Sequence, residues 1–403
     1  MWALGHLYEE DNLSTRGPLS SPGSDPMRVL IVDTYYPAFL ASHYGSREWQ
    51  IDTPYDEQLR SLLNRGFGTS DAYSSNLQAL GHQAEEVVAN CLTLQLQWVR
   101  EHGGVAVPRW LTSAGAIPGR LGLGAQRVLL RQIARAQVLA FQPDVVYMQD
   151  LWFLGRRDLD AIRQSGVLVA GQIASPPPKE RLLQGYDVVF TSFPHFVKRF
   201  RALGIDCEYL AIAFDERLVA RLSADPDADR PGDVVFVGGL GVGTHRRGTA
   251  LLEELSRSVP LQVWGYGAEG LAATSPLRAR YRGEAWALDM YRILGGAKVV
   301  LNRHIDVAEG YANNMRLFEA TGMGAMLLTE AAPNLGELFD PDREVVPYCG
   351  PQDLTEKIRH YLDDDEQRLT IARAGQARTL SEHTYARRIA QLAEMLESRI
   401  RTR

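Results

Sequence analysis

In the stretch EGYANNMRLFEATGMGAMLLTE, residues 309–330, two glutamates, two adjacent asparagines and an arginine flank a short helical pattern that runs into an apolar strand. A helix beginning near Asn313 or Asn314 and ending at Gly322 puts Asn313, Arg316 and Glu319 at i, i+3 and i+6 on one side. Met315 and Phe318 share another side and can face a core. Arg316 offers a planar, permanently charged fork suited to phosphate oxygens. The helix start adds unpaired N–H groups and the positive end of the helix dipole. Glu319 can accept two hydrogen bonds from a vicinal diol such as a ribose. Together these groups fit a nucleoside diphosphate. The same spacing fits equally an Arg316–Glu319 ion pair on a wet helix face, an interaction worth little.

Such a site needs strands and helices to carry it, and the chain alternates between them. RVLIVD (28–33) reads as a buried parallel strand. In GFGTSDAYSSNLQALGHQAEEVVA (66–89), Gly66 and Gly68 punctuate a turn, Ser70 or Asp71 can cap a helix, and Gly81 ends it before a strand through Val87 and Val88. PDVVYMQD (143–150), VLVAGQI (167–173) and YDVVFTS (186–192) are further strands. The acidic, proline-bearing SADPDADRPG (223–232) reads as a linker or surface loop. Strands resume at DVVFVGG, LQVWGYG, KVVLNRH, AMLLTE and EVVPY. The C-terminal YARRIAQLAEMLESRI spaces Ile389, Leu392, Met395 and Leu396 as a helix does. The expectation is a tail at 1–26, read as disordered with Met27 an alternative start, and a Rossmann-like domain at 27–215. A linker at 216–232, a second Rossmann-like domain at 233–385, and a terminal helix at 386–403 packing back toward the first domain complete the scheme. A cleft between the halves is where ligands of such sheets bind.

The totals agree. A chain of 403 residues exceeds one ordinary core. A formal net charge of −6 argues against a general nucleic-acid binder. Cys91, Cys207 and Cys349 lie far apart and match no metal or disulfide pattern, as expected of a reducing cytoplasm. No apolar run approaches the roughly 18 residues of a membrane span.

The run LDMYRILGGAKVVLNRHIDVAEGYANNMRLFEATGMGAMLLTE (288–330) resembles the donor-binding half of GT-B glycosyltransferases, in which a loop with a first glutamate precedes a helix with a second. Glu309 and Glu319 stand in those places, nine residues apart where the usual pattern has seven. The closer resemblance is to the CgeB-type spore-maturation glycosyltransferases, whose Asn-x-Arg-x-x-Glu core stands here as Asn314, Arg316 and Glu319. VVFVGGLGVGTHRRGTALLEEL looks like the segment where a glycine turn, here Gly238 and Gly239, precedes cations that reach a donor diphosphate, here His245, Arg246 and Arg247. The other reading is a basic helix start on the surface. PDVVYMQD sits where many GT-B enzymes keep a histidine facing the transferred sugar, and this chain has Gln149 and Asp150.

The resemblance implies an α/β GT-B fold of two Rossmann-like domains facing across a cleft. It implies a metal-independent glycosyltransferase, hexosyl- or deoxyhexosyl-type, moving a sugar from a nucleotide sugar to an acceptor hydroxyl or amine. No cofactor is expected beyond that co-substrate. Glu309 or Asn313 would touch the sugar hydroxyls. Asp71, His43 and Asp150 are base candidates by position alone, needed if the reaction inverts configuration. Tyr36, His43 and Tyr73 are acceptor-side candidates, the first two, with Trp49, in the aromatic-rich stretch 33–59. A nucleotide-sugar epimerase and a non-catalytic nucleotide-sugar-binding protein are the alternatives.

Competing signals are weaker. GYGAEG (265–270) fits G-x-G-x-x-G, but LQVW is expected as the second strand of its half, with no clean crossover helix after it. The Asp158/Asp160, Asp225/Asp227/Asp229 and Asp340/Asp342 pairs end no strand, so no metal is expected.

Overall fold

The computed structural model describes residues 25–45, 53–108, 120–222, 232–241 and 245–403. The tail to residue 24, Trp49, most of the 223–232 segment and residues 242–244 of the glycine-rich loop lie outside the described residues. Short β-branched runs form two parallel sheets. The first comprises β1 (Arg28–Asp33), β2 (Gln83–Val88), β3 (Val145–Met148), β4 (Leu168–Ile173), β5 (Val188–Thr191) and β6 (Cys207–Tyr209), in the order β2-β1-β3-β4-β5-β6. The second comprises β7 (Val234–Val237), β8 (Leu261–Trp264), β9 (Val299–Asn302), β10 (Met326–Glu330) and β11 (Val346–Tyr348), in the order β11-β10-β9-β7-β8.

Alternation along β1 shows why both faces are covered. Leu30 and Val32 join a core with Val146, Met148 and Phe196, whereas Val29 and Ile31 join one with Tyr73, Tyr147 and Phe190. That second core also contains Tyr385, Ile389, Leu392 and Leu396 of the last helix, Tyr385–Arg401, which therefore packs on the first sheet.

In each sheet the strand order reverses at the first strand. β1 lies between β2 and β3, and β7 lies between β8 and β9. The crevice past the carboxyl end of such a strand is where doubly wound sheets take ligands. Here those ends are Asp33–Tyr36 and Gly238–Gly239.

The chain crosses between the halves twice, side by side. The Phe214 N–H donates to the His383 carbonyl at 2.8 Å, and the Tyr385 N–H to the Phe214 carbonyl at 2.9 Å. Phe214 packs against Gly322, where an added Cβ would lie 2.5 Å from its ring. The Phe214 ring is buried. Gly322→Ala is therefore expected to cost about 1–3 kcal/mol, read as a lower urea midpoint. An unchanged midpoint would show that the crossing is loosely packed.

Candidate functional site

The second sheet builds its ligand face from the end of β7. The Gly238 N–H donates to the Trp264 carbonyl at 3.0 Å, and the Leu240 N–H to that of Tyr266 at 2.9 Å, so the β7 and β8 exits run together. A Cβ at Gly265, whose φ is +140°, would overlap the Gly238 carbonyl, so only glycine fits there. GYG thus serves to dock two loops, with Tyr266 held between them.

The helix Arg246–Leu255 follows, with His245 at its N-cap and no acidic residue in its first turn. Thr249 Oγ1 accepts from the Gly241 N–H at 3.0 Å, which ties the loop to the helix. The His245 ring occupies the space a Cβ on Gly239 would take and meets Tyr266 Oη at 3.2 Å. Burial, and secondarily the Arg303 charge, hold its pKa below the usual histidine value. Arg246 and Arg247 are exposed. Arg303, at the exit of β9, lies in the space a Cβ on Gly248 would fill. Asp306 is 3.7 Å from Arg303 and 4.0 Å from Arg247. Arg247 and Arg303 thus meet at a helix start facing one carboxylate, with the His245 ring beside them, an arrangement suited to an anion.

The helix that opened the sequence reading spans Met315–Gly322 with Asn314 as its N-cap. Asn314 Oδ1 accepts from the Leu317 N–H at 3.4 Å, while its Nδ2 donates to Asn302 Oδ1 at 2.7 Å and to the Arg303 carbonyl at 2.8 Å. Asn314 therefore caps the helix and fixes the backbone that carries Arg303. Asn313 is buried and donates to Ser192 Oγ, at the end of β5, at 2.9 Å. It joins the halves and is not open to sugar hydroxyls.

Arg316 and Glu319 form an ion pair at 2.8 Å with side chains only 14% and 6% exposed. Arg316 Nη2 also meets Met290 Sδ at 3.2 Å, and Tyr291 Oη donates to Glu319 at 3.3 Å. Both residues therefore lie against the helix Ala287–Gly296 and are not on a wet helix face. Glu309 is exposed, with φ +49°, after the turn Asp306–Ala308.

On the first half, Asp71 is paired with Arg217 at 2.7 Å, and Arg217 also holds Asp215 at 2.7 Å. These residues line a cavity of about 400 Å³ with Gly66, Gly68 and Tyr291. Asp71 is thus a hinge ion-pair partner, not an unengaged base. Asp150 accepts from Thr34 Oγ1 and from the Trp152 N–H, both at 2.8 Å, and so holds the β1 and β3 exits together. Beside it, burial raises the Asp33 carboxyl to about 7, with Asp150 adding to the effect. His43 is 1% exposed and edge-on to Tyr44, which leaves no surface for an acceptor. Tyr73 is likewise core: its hydroxyl donates to Gln172 and its ring lies between Tyr147 and Tyr385. For Tyr73, packing from distant elements overrode the expectation.

Tyr36 stays at the cleft. It is edge-on to Trp286 at 5.3 Å and to Tyr266 at 6.1 Å, which stack on each other. With the Leu288 N–H donating to the Arg65 carbonyl at 3.1 Å and His195 Nε2 bonded to the Val307 carbonyl at 3.2 Å, these contacts bring the two ligand faces together.

Sequence reasoning missed Arg303, Tyr266 and Trp286. For Arg303 a signal existed, since a cation directly after an apolar parallel strand falls on the ligand side of the sheet. Among the described residues no cluster of three or more metal-ligating side chains occurs, and no helix is long and apolar enough to cross a membrane.

Residues 246–394 match the family described as glycosyl transferase-like. No curated protein matches the chain. Similar solved structures include a sucrose-phosphate synthase from Thermosynechococcus elongatus, with TM-score 0.55, 13% identity, and coverage of 93% of this chain and 100% of that one. Another is Anabaena Alr3699/HepE in complex with UDP-glucose, with TM-score 0.55, 14% identity, and coverage of 92% and 100%. A third is AviGT4, a glycosyltransferase involved in avilamycin A biosynthesis, with TM-score 0.54, 14% identity, and coverage of 94% and 99%. With two parallel sheets meeting across a cleft, the chain has the GT-B fold, and its glycosyl transferase-like segment begins at the cationic helix start.

Proposed function

We propose that this chain is a metal-independent glycosyltransferase of the CgeB type that moves a hexosyl or deoxyhexosyl group from a nucleoside diphosphate sugar to an acceptor hydroxyl or amine. The observation that carries this reading is the helix start beyond the Gly238–Gly239 exit, where Arg247 and Arg303 meet beside His245 at the switch point of the second sheet, with Arg246 exposed on the same first turn. Sugar transfer leaves a diphosphate whose charge grows as the glycosidic bond breaks. Without a metal, arginines and helix-end N–H groups have to stabilise it. The supporting cast differs from the sequence expectation. Arg303 joins Arg316 as a candidate for the diphosphate, their side chains 12% and 14% exposed, and Asn314 holds the Arg303 backbone.

A thermal-shift screen with UDP, GDP, dTDP, ADP and CMP tests the reading. One nucleotide at 100 times its Kd is expected to stabilise the wild type by about 2.7 kcal/mol, with a smaller shift for Arg247→Ala. Absence of any shift would overturn it. Incubation with the matching nucleotide sugar then separates transfer, which needs an acceptor, from epimerisation, which does not, and from binding without turnover.

A further inference from the structure

We infer that the outer edge of the first sheet is a docking groove for an extended peptide of another protein, one that carries a basic side chain. This does not rest on the transferase reading. β2 has a neighbouring strand on one side only. The Gln83 N–H donates to the Met27 carbonyl and the Ala89 N–H to that of Asp33, both at 2.8 Å, so the odd-numbered residues of this parallel strand face β1. The main-chain groups of Ala84, Glu86 and Val88 therefore point outward. Gln78 Nε2 donates to the Ala84 carbonyl at 2.7 Å and Gln95 Nε2 to that of Val88 at 3.0 Å. Between them the Glu86 N–H and C=O have no partner among the described residues, although Glu86 is only 6% exposed. Buried main-chain groups call for partners. One residue of an added antiparallel strand exchanges two bonds with such a pair.

Space for that strand is present as a cavity of about 600 Å³. Ala84 and Glu86 point to one face of the sheet, Glu85 and Val87 to the other, and all four line the cavity, so it wraps the free edge. Tyr55, Leu59 and Trp98 give it an apolar wall. The Tyr55 hydroxyl holds one end of the buried Gln137 amide at 3.2 Å, and the other end has no partner among the described residues. The lining sets the carboxyl groups of Asp56, Asp71, Glu85 and Glu86 against Arg28 and Arg60. Arg28 is already engaged by the Phe141 carbonyl at 3.2 Å. Asp56 and Glu85 are exposed at the mouth. Burial, and next the Asp56 charge, hold the Glu85 carboxyl above its usual value against the opposing pull of Arg28 and His102. Two carboxylates that raise one another favour a cation between them. A simple amine would meet these carboxylates and leave the Glu86 main chain unpaired. A strand without a basic side chain would pair the edge and leave the mouth uncompensated.

Fluorescence anisotropy on the full chain tests this with a fluorescein-labelled pentapeptide amide, Ala-Leu-Lys-Leu-Ala. Its affinity is expected to fall at least tenfold when its main-chain nitrogens are methylated, and at least tenfold when its lysine is replaced by glutamate. Glu85→Arg, a change at an exposed position, is expected to keep the wild-type melting temperature and to prefer the glutamate peptide over the lysine one. Absence of binding would overturn the inference. Equal binding of the methylated peptide would overturn it too, since that marks a charge site and not a strand edge. A Glu85→Arg chain that still prefers the lysine peptide would place the binding elsewhere and have the same result. A dimer in light scattering that Glu85→Arg dissolves would assign the edge to a second copy of the chain and likewise overturn it.

Discussion

Arg303→Ala is expected to lower kcat/KM for nucleoside diphosphate release from the donor sugar by about 10²–10³-fold, the scale of losing one preorganised charge stabiliser. The physical basis is the placement of this guanidinium. It leaves β9 at the switch-point side of the sheet, lies over Gly248 in the first turn of the cationic helix, and has Asp306 as a loose counter-charge at 3.7 Å. A bound diphosphate would compete successfully with so distant a carboxylate. Arg303→Lys is expected to recover only part of the rate, because an ammonium gives a point charge where the guanidinium gives a fork. Single-turnover kinetics with saturating donor separate chemistry from binding. If Arg303→Ala turns over like wild type, the leaving diphosphate is stabilised elsewhere.

Glu319→Ala is expected to destabilise the fold by about 3–5 kcal/mol, because it leaves the Arg316 charge buried without its partner. Tyr291 would also lose the acceptor of its hydroxyl. The double substitution Arg316→Met with Glu319→Leu removes both charges together and is expected to restore most of the loss. Urea unfolding of the three variants measures this directly. A Glu319→Ala chain of wild-type midpoint but weakened nucleotide binding would return this carboxylate to the ribose-holding role suggested by its spacing. The two roles thus predict losses in different experiments.

Much of the architecture is legible in local pattern. RVLIVD and KVVLNRH announce buried parallel strands because β-branched runs of that length fit little else, and the observed β1 and β9 lie within them. The helix start at Asn314 is equally local, since an asparagine cap satisfies N–H groups only three residues away. The site is less legible because its chemistry is decided at long range. Whether Arg316 and Glu319 face solvent depends on Met290 and Tyr291, which come from another helix. Asn313 finds its partner in Ser192, on the other sheet. Tyr73 is enclosed by Tyr385, from the far end of the chain. Spacing gives the residues that share a face and leaves open what covers it.

The last helix has a consequence for how the protein is made. The strands of the first sheet are all synthesised by Tyr209, yet the face bearing Val29, Ile31 and Phe190 is closed by Ile389, Leu392 and Leu396. On the ribosome that apolar face has only the early helix with Ala72, Tyr73 and Leu77 against it while the whole second sheet is translated. Only when the final turns emerge does the first sheet acquire its missing cover. The half that starts first is thus closed only after the second has been made.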